Sequence, residues 1–204
     1  KTKYPQGAEK MLIKRVMGRQ VPRGGLPADV GCVVSNISTT KAISDAIQKG
    51  MPLVERVTTV TGENLKKPGN YIVKIGTITQ ELIDHCGGIT GDDVTIKAGG
   101  PMMGFVMNDT KAPIMKGSNG IIVVDTDHTA EQPCIKCGRC ADVCPMELSP
   151  LYFAKFADEE NWQGDKDMNI MDCIECRCCE YICSSKIPLV TKIKAGKNAV
   201  RGMK

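Results

Sequence analysis

Eight of the eleven cysteines fall into two copies of one pattern, CIKCGRCADVCP at residues 134–145 and CIECRCCEYIC at residues 173–183. Each copy reads CxxCxxCxxxC. That spacing wraps three thiolates round one iron–sulfur cube and, in two-cluster ferredoxins, sends the fourth to the other cube. Iron in a cluster wants soft thiolate, and successive CxxC steps let a tight loop aim several sulfurs and several backbone N–H groups at one point. The expected ligand sets are therefore Cys134, Cys137, Cys140 and Cys183 for one 4Fe-4S cluster, and Cys144, Cys173, Cys176 and Cys179 for the other. The copies also agree outside cysteine: Ile135 aligns with Ile174 and Val143 with Ile182, apolar residues suited to shielding a cluster from water. The pattern points to electron transfer between two quasi-symmetric cubes.

Other uses of these cysteines fit less well. A disulfide framework needs an oxidising compartment, and eleven cysteines leave one unpaired. Zinc sites ordinarily show two knuckles separated by a longer spacer, not three close cysteines followed by CxxxC. Rieske ligation needs paired histidines on one iron, and the two histidines, His85 and His128, lie outside both motifs. Cys32 and Cys86 read as ordinary core thiols. Cys178, adjacent to Cys179, is either a neighbour pointing away from the cube or an alternative ligand.

These motifs must be held by a fold, and composition bounds what it can be. A chain of 204 residues, 42% hydrophobic, can bury a real core, in two modules rather than one. Aromatics are only 4%, so aliphatic packing and the clusters must stabilise it. No apolar run approaches the length of a membrane span and nothing resembles a signal peptide, so the chain is expected to be soluble. It begins at Lys1 in what reads as the middle of an element, which implies further sequence upstream. The net charge of +4 is unevenly spread: residues 1–30 are basic, residues 158–175 acidic, and residues 186–204 carry basic residues and no acid. Such blocks are ordinarily solvated faces; an acidic protein partner or anionic lipid headgroups are the alternatives. Nucleic acid is disfavoured, because the basic residues are not interleaved with stacking aromatics and no nucleic-acid motif occurs.

Punctuation divides the chain. Residues 7–20 form an amphipathic helix through Met11, Leu12, Val16 and Met17, ending near Gly18. The Gly/Pro-rich stretch 21–31 is loop. Ser38 or Thr39 caps a helix running to Gly50. Residues 55–61, 70–76, 93–98 and 120–125 read as strands, and 77–86 as a helix stopped by Gly87 and Gly88. A linker near 127–132 precedes the first motif. Residues 146–172, between the motifs, are much longer than a simple turn, with Leu151, Ala154 and Phe156 on one helical face. Tyr152, Phe153 and Trp162 read as core packing in preference to an electron conduit.

No other chemistry competes. The paired glycines make neither GxGxxG nor GxxxxGK after a strand, GGPMMG at residues 99–104 is a tight turn first, and no serine-, cysteine- or histidine-based hydrolytic constellation is present. Glu9, at a helix start, is ordinarily a dipole-compatible surface acid.

Residues 3–19 (KYPQGAEKMLIKRVMGR), 21–31 (VPRGGLPADVG), 60–77, 98–105 (AGGPMMGF) and 134–150 closely resemble the C subunit of the Rnf electron-transport complex, in the family's order along nearly the whole chain. The resemblance implies an α+β chain: a β-grasp module of the soluble-ligand-binding type followed by a helical two-cluster ferredoxin-type domain. It implies residues 1–54 as the remainder of a flavin/NADH-binding domain, 55–126 as the β-grasp module with its closing strand, and 127–204 as the two-cluster domain with a basic tail. The family couples NAD and ferredoxin redox chemistry to ion movement. The implied role is an electron relay on the cytoplasmic side of the membrane, peripheral and without a span of its own. Its partners would be the other subunits of the complex and ferredoxin-like carriers. FMN and NADH are expected only with the upstream glycine-rich region, where Glu9 would line the rim of their site. A related flavin and iron–sulfur reductase serving a corrinoid enzyme shares the YPQG and β-grasp features, but both cysteine motifs lie after the module here, as in Rnf. A protein using its clusters only structurally is the remaining alternative. The chain departs from the family at Arg177, where a small residue is usual, and at Ser184, where proline usually follows the last cysteine.

Overall fold

The computed structural model describes residues 1–203; Lys204, the last base of the basic stretch, lies outside the described residues. In chain order the elements are α1 (Glu9–Met17), a 3-10 turn (Pro27–Val30), α2 (Ile37–Lys49), β1 (Glu55–Thr61), β2 (Gly69–Lys74), α3 (Thr79–His85), β3 (Val94–Ala98), β4 (Phe105–Val106), β5 (Gly120–Asp125), α4 (Arg139–Asp142), α5 (Pro150–Asp158), α6 (Trp162–Asp167), a second 3-10 turn (Ile170–Asp172), α7 (Cys178–Tyr181) and α8 (Leu189–Gly202). They form two compact units, one of residues 35–128 and one of residues 1–34 with 129 onward.

The first unit is a five-stranded mixed sheet in the order β2-β1-β5-β3-β4. β1 pairs antiparallel with β2 and parallel with β5, and β5 pairs antiparallel with β3. Val60, Val73, Leu82, Ile83, Cys86, Ile114, Ile121 and Val123 make its core. Alternation in β1 runs against the simple expectation: Val57 faces solvent while Arg56 and Thr58 are buried. The inward polar groups are satisfied by the turn before β5, since Arg56 Nε donates to Asn119 Oδ1 (2.9 Å) and Thr58 Oγ1 to the Ser118 carbonyl (3.1 Å). Gly62, at φ 135°, lets β1 leave the sheet against the Val123 backbone, where any Cβ would collide. α2 begins at Asn36, whose side chain accepts from Ser38 N–H, two residues before the expected cap.

The second unit is helical. Leu148, Phe153, Ala154, Ile170, Ile187, Leu189, Val190, Ile193 and Val200 pack into one core, with Cys140, Cys144, Cys173 and Cys183 against it. Its two halves repeat at one constant offset. Lys136 and Glu175 both have φ 55°, Gly138 and Arg177 are both left-handed at 78° and 63°, and Glu147 and Lys186 stand at 56° and 54°. Each half thus folds as cysteine loop, left-handed residue, one helical turn, second left-handed residue, then a longer helix, α5 or α8. The basic stretch after residue 186 is therefore more than a solvated face: as α8 it buries Leu189, Val190, Ile193, Gly196, Lys197 and Val200. Phe153 is fully buried as core, but Tyr152 is half exposed. In α1 only Ile13 is buried, while Val16 and Met17 of its expected apolar face are exposed. Cys86 is a core thiol as expected, whereas Cys32 is only partly buried, its Sγ near the Val30 carbonyl.

Asp165 of α6 is fully buried, and neither carboxylate oxygen has a hydrogen-bond partner. It packs against Gly196 of α8, where any side chain would strike it. Burial pushes its pKa up to about 6, because taking the carboxylate out of water disfavours the charged form. A raised carboxylate pKa means the folded state resists ionisation. Stability is therefore undiminished below the ordinary carboxylate pKa, falls as pH climbs towards 6, and stays lower above it. Asp165→Asn removes that penalty, on the order of 2–3 kcal/mol at neutral pH. Thermal midpoints should rise for the variant at pH 7.5 by clearly more than at pH 5; equal gains at both pH values would refute the assignment.

Candidate metal centres

The eight motif cysteines line two separate cavities. Cys134, Cys137 and Cys140 border the first together with Cys183, next to Leu151, Ile187 and Leu189. Cys173, Cys176 and Cys179 border the second together with Cys144, next to Phe153, Val190 and Ile193. Each fourth cysteine thus stands with the other motif's triplet. The crossing follows from how the halves interlock: Gln132 N–H donates to the Ser185 carbonyl (2.8 Å) and Ser185 Oγ to the Pro133 carbonyl (3.0 Å). These bonds lay the segment after Cys183 beside the start of the first motif. The empty space, counted out to the solvent mouth, is similar in the two, ≈ 400 Å³ and ≈ 360 Å³.

The surroundings suit a thiolate-held cluster. The left-handed residues Lys136 and Glu175 turn their N–H groups onto Cys134 Sγ and Cys173 Sγ, both at 3.4 Å, and Leu148 N–H points at Cys144 Sγ at the same distance. Such backbone concavities stabilise anionic sulfur. Among the described residues no three His, Cys, Asp or Glu side chains converge to hold a single metal ion. The four thiols of each set instead border one cavity together. Burial pushes the Cys140 and Cys173 thiols up, Cys178 to about 11 and Cys179 to about 12. A metal binds the thiolate, so loading the ligand cysteines would release protons.

The two sites differ in cover. Cys134 and Cys137 are exposed, with Ile135 68% accessible, whereas Cys176 and Cys179 are buried. The amino-terminal segment supplies part of the difference. Tyr4 Oη donates to the Cys176 carbonyl (2.9 Å), and burial followed by the neighbouring Cys176 and Cys178 pushes the phenol pKa up. Arg23 pairs with Asp172, just before Cys173 (3.1 Å), and Lys10, Lys14 and Val21 share a hollow with Pro145, Met146 and Asp172.

Cys178 is buried and borders the second cavity as a fifth thiol. Its counterpart in the first half is the exposed Arg139. Arg177 takes the left-handed conformation that Gly138 holds in the first half, tied by its guanidinium to Glu180 Oε1 (2.6 Å), while Glu180 Oε2 accepts from Val190 N–H (2.8 Å) at the start of α8. Glu9 is exposed at the first turn of α1. His128 pairs with Asp93 and His85 stacks edge-on with Tyr71, both in the sheet unit. Two residues at the second site carried no signal as isolated letters: Tyr4, and Lys197 of α8, whose buried ammonium donates to the Cys173 carbonyl (2.9 Å) and Glu175 Oε1 (2.5 Å). Aligning the two motifs singles out Glu175 opposite Lys136, but only the fold brings Lys197 to it.

Residues 1–45 match the family model of the Nuo51 FMN-binding domain, residues 57–106 that of the SLBB domain, and residues 133–187 that of the 4Fe-4S dicluster domain. The chain is 50% identical over 175 residues to the C subunit of the proton-translocating ferredoxin:NAD(+) oxidoreductase complex of Clostridium ljungdahlii, covering 84% of this chain and 38% of that protein. It is 42% identical over 202 residues to the C subunit of the Na(+)-translocating ferredoxin:NAD(+) oxidoreductase complex of Acetobacterium woodii, covering 98% of this chain and 46% of that protein. To the C subunit of the ion-translocating oxidoreductase complex of Rhodobacter capsulatus it is 40% identical over 199 residues, covering 96% of this chain and 38% of that protein. The chain spans less than half the length of these relatives. With SLBB and 4Fe-4S dicluster domains in one α+β chain and this likeness along nearly its full length, the chain belongs to the C subunit family of Rnf-type ion-translocating ferredoxin:NAD oxidoreductases.

Proposed function

We propose that this chain is the electron-relay portion of the C subunit of an Rnf-type complex, carrying electrons one at a time between a flavin site and neighbouring subunits of that ion-translocating assembly. The observation that carries this reading is the pair of cysteine-lined cavities, each bordered by three thiols of one motif and the fourth of the other. Cys134, Cys137, Cys140 and Cys183 would hold one 4Fe-4S cluster, and Cys144, Cys173, Cys176 and Cys179 the second; when bound, such clusters supply one-electron redox chemistry. Tyr4 and Arg23 clamp the segment that matches an FMN-binding domain onto the second site, so that site is the inner one, facing the flavin. The exposed first site, rimmed by Ile135, Lys136 and Arg139, is the outer one. Its basic and apolar rim suits an acidic redox partner, another subunit of the complex or a ferredoxin-like carrier.

NADH yields two electrons as hydride and each cluster takes one, so a flavin must stand between them. Residues 1–54 are read as the remainder of the domain that binds it, with Glu9 at the rim of the FMN and NADH site. Residues 55–126 are read as a β-grasp module, supported by the mixed sheet and the parallel β1–β5 pair. Residues 127–204 are the two-cluster domain. No described helix is long and apolar enough to cross a membrane. The chain is read as peripheral on the cytoplasmic side, held by partner subunits, from its likeness to subunits of a multi-subunit complex.

Anaerobically reconstituted protein should contain about eight iron atoms per chain. Replacing Cys137 or Cys176 by serine should remove about half of that iron, whereas serine at Cys32, Cys86 or Cys178 should leave it unchanged. A wild-type content near four, or loss of iron with Cys178→Ser alone, would overturn the ligand scheme. A reductive titration in which the iron does not change oxidation state would favour a purely structural role.

A second outcome concerns the chain by itself. With residues 1–54 alone of the domain that binds flavin, dithionite should bleach the visible absorption of the reconstituted protein but NADH should not. Stoichiometric FMN on the purified chain, or bleaching by NADH without an added flavoprotein, would contradict the relay reading.

A further inference from the structure

We propose that Lys197 sets the reduction potential of the second cysteine site: its ammonium stabilises the one-electron-reduced state there, and Glu175 is the counter-charge that limits the effect. The inference rests on the reading that Cys144, Cys173, Cys176 and Cys179 hold a cluster.

Lysine is almost never fully buried unless paired, yet Lys197 is only 6% exposed. The pairing is divided. Nζ donates to Glu175 Oε1 (2.5 Å) and also to the carbonyl of Cys173 (2.9 Å), so the charge is fixed on the backbone of a ligand cysteine and not merely cancelled by a carboxylate. Glu175 is in turn shared: its other oxygen lies 3.8 Å from Lys194. It is also the residue whose N–H points at Cys173 Sγ. Two lysines therefore meet one glutamate beside the second site, leaving a net positive charge. Burial keeps counterions away from Lys197, so its field is screened far less than that of a surface lysine. Net charge, hydrogen bonding to the sulfurs and exposure are the levers that move cluster potentials.

The repeat provides the comparison. Glu175 corresponds to Lys136 and Lys197 to Asp158, so both charges are inverted between the halves. In the first half the loop residue Lys136 is exposed, and Asp158 is engaged by Lys192 of α8 (2.6 Å). A buried cation anchored on a ligand cysteine is thus a feature of the second site and not of the fold both sites share. When the site is reduced, one electron enters the cluster from the reductant, no bond forms or breaks, and Lys197 keeps its proton throughout.

The experiment is an EPR-monitored redox titration of reconstituted wild-type protein, Lys197→Met, Lys197→Arg and Glu175→Gln, each first assayed for iron. The second site's signal is identified as the one retained in Cys137→Ser. Lys197→Met should lower the second site's potential by at least the equivalent of a tenfold change in its electron-exchange constant with the first site, 59 mV for one electron, with the first site unmoved. Lys197→Arg should stay within threefold of wild type, and Glu175→Gln should shift the second site the opposite way. Full iron with no shift in Lys197→Met, or an equal shift at both sites, would overturn the proposal. If Lys197→Met fails to hold the second cluster, Glu175→Gln decides alone: an upward shift supports the proposal and an unchanged potential overturns it. Wild-type protein lacking a second cluster would instead overturn the ligand reading on which it rests.

Discussion

The helical unit depends on one geometric demand: each set of four thiols must be assembled from two segments far apart in the chain. No local loop can satisfy it, because the fourth cysteine of each motif leaves on the far side of a helical turn. The two halves have to interlock, and the Ser185 bonds to Pro133 and Gln132 are where they do so. Much else follows. The long helix of each half comes after its fourth cysteine, α5 and α8 pack on one another, and their apolar faces border the second cavity with Phe153, Val190 and Ile193 and the first with Leu151 and Leu189. The core and the sites are the same object.

Symmetry of backbone does not carry over into symmetry of environment. The left-handed positions repeat to within about fifteen degrees, but the amino-terminal segment covers one site and leaves the other open. The same loop geometry therefore sits in two settings, one with Cys176 and Cys179 buried beside the Lys197–Glu175 pair, one with Cys134 and Cys137 exposed. In the proposed relay this difference would let the two stations meet different neighbours.

The grouping of the motif cysteines round two cavities was legible in the sequence, because the CxxCxxCxxxC spacing is local chemistry. The same holds for β1 and β5, whose β-branched runs match their observed bounds. The inward-facing Arg56 and Thr58 were not legible, since the carbonyls and amide that satisfy them come from residues 116–119, about sixty positions away. Nor was the role of residues 186–203: a string of bases reads as a solvated face, yet Ile193, Gly196 and Lys197 lie on the buried side of α8, with the remaining charges outside. Tyr4 illustrates the same limit, for its partner is the Cys176 carbonyl, and a backbone atom leaves no mark in the sequence. Arg177 looked like a local anomaly and is one, a left-handed arginine where the first half uses glycine, held by its ion pair with Glu180.

Seven non-glycine residues of the helical unit, Lys136, Glu147, Glu160, Asn169, Glu175, Arg177 and Lys186, have positive φ, while the described residues of the sheet unit have none outside glycine. At roughly 1 kcal/mol or more each, this conformational load is comparable to the whole net stability of an ordinary domain, about 5–15 kcal/mol. Iron–sulfur ligation, which binds the folded loops far better than the unfolded chain, is the natural source of compensation. Supply of iron and sulfide would then weigh on the stability of this unit and not on that of the sheet unit, whose described residues carry no such load.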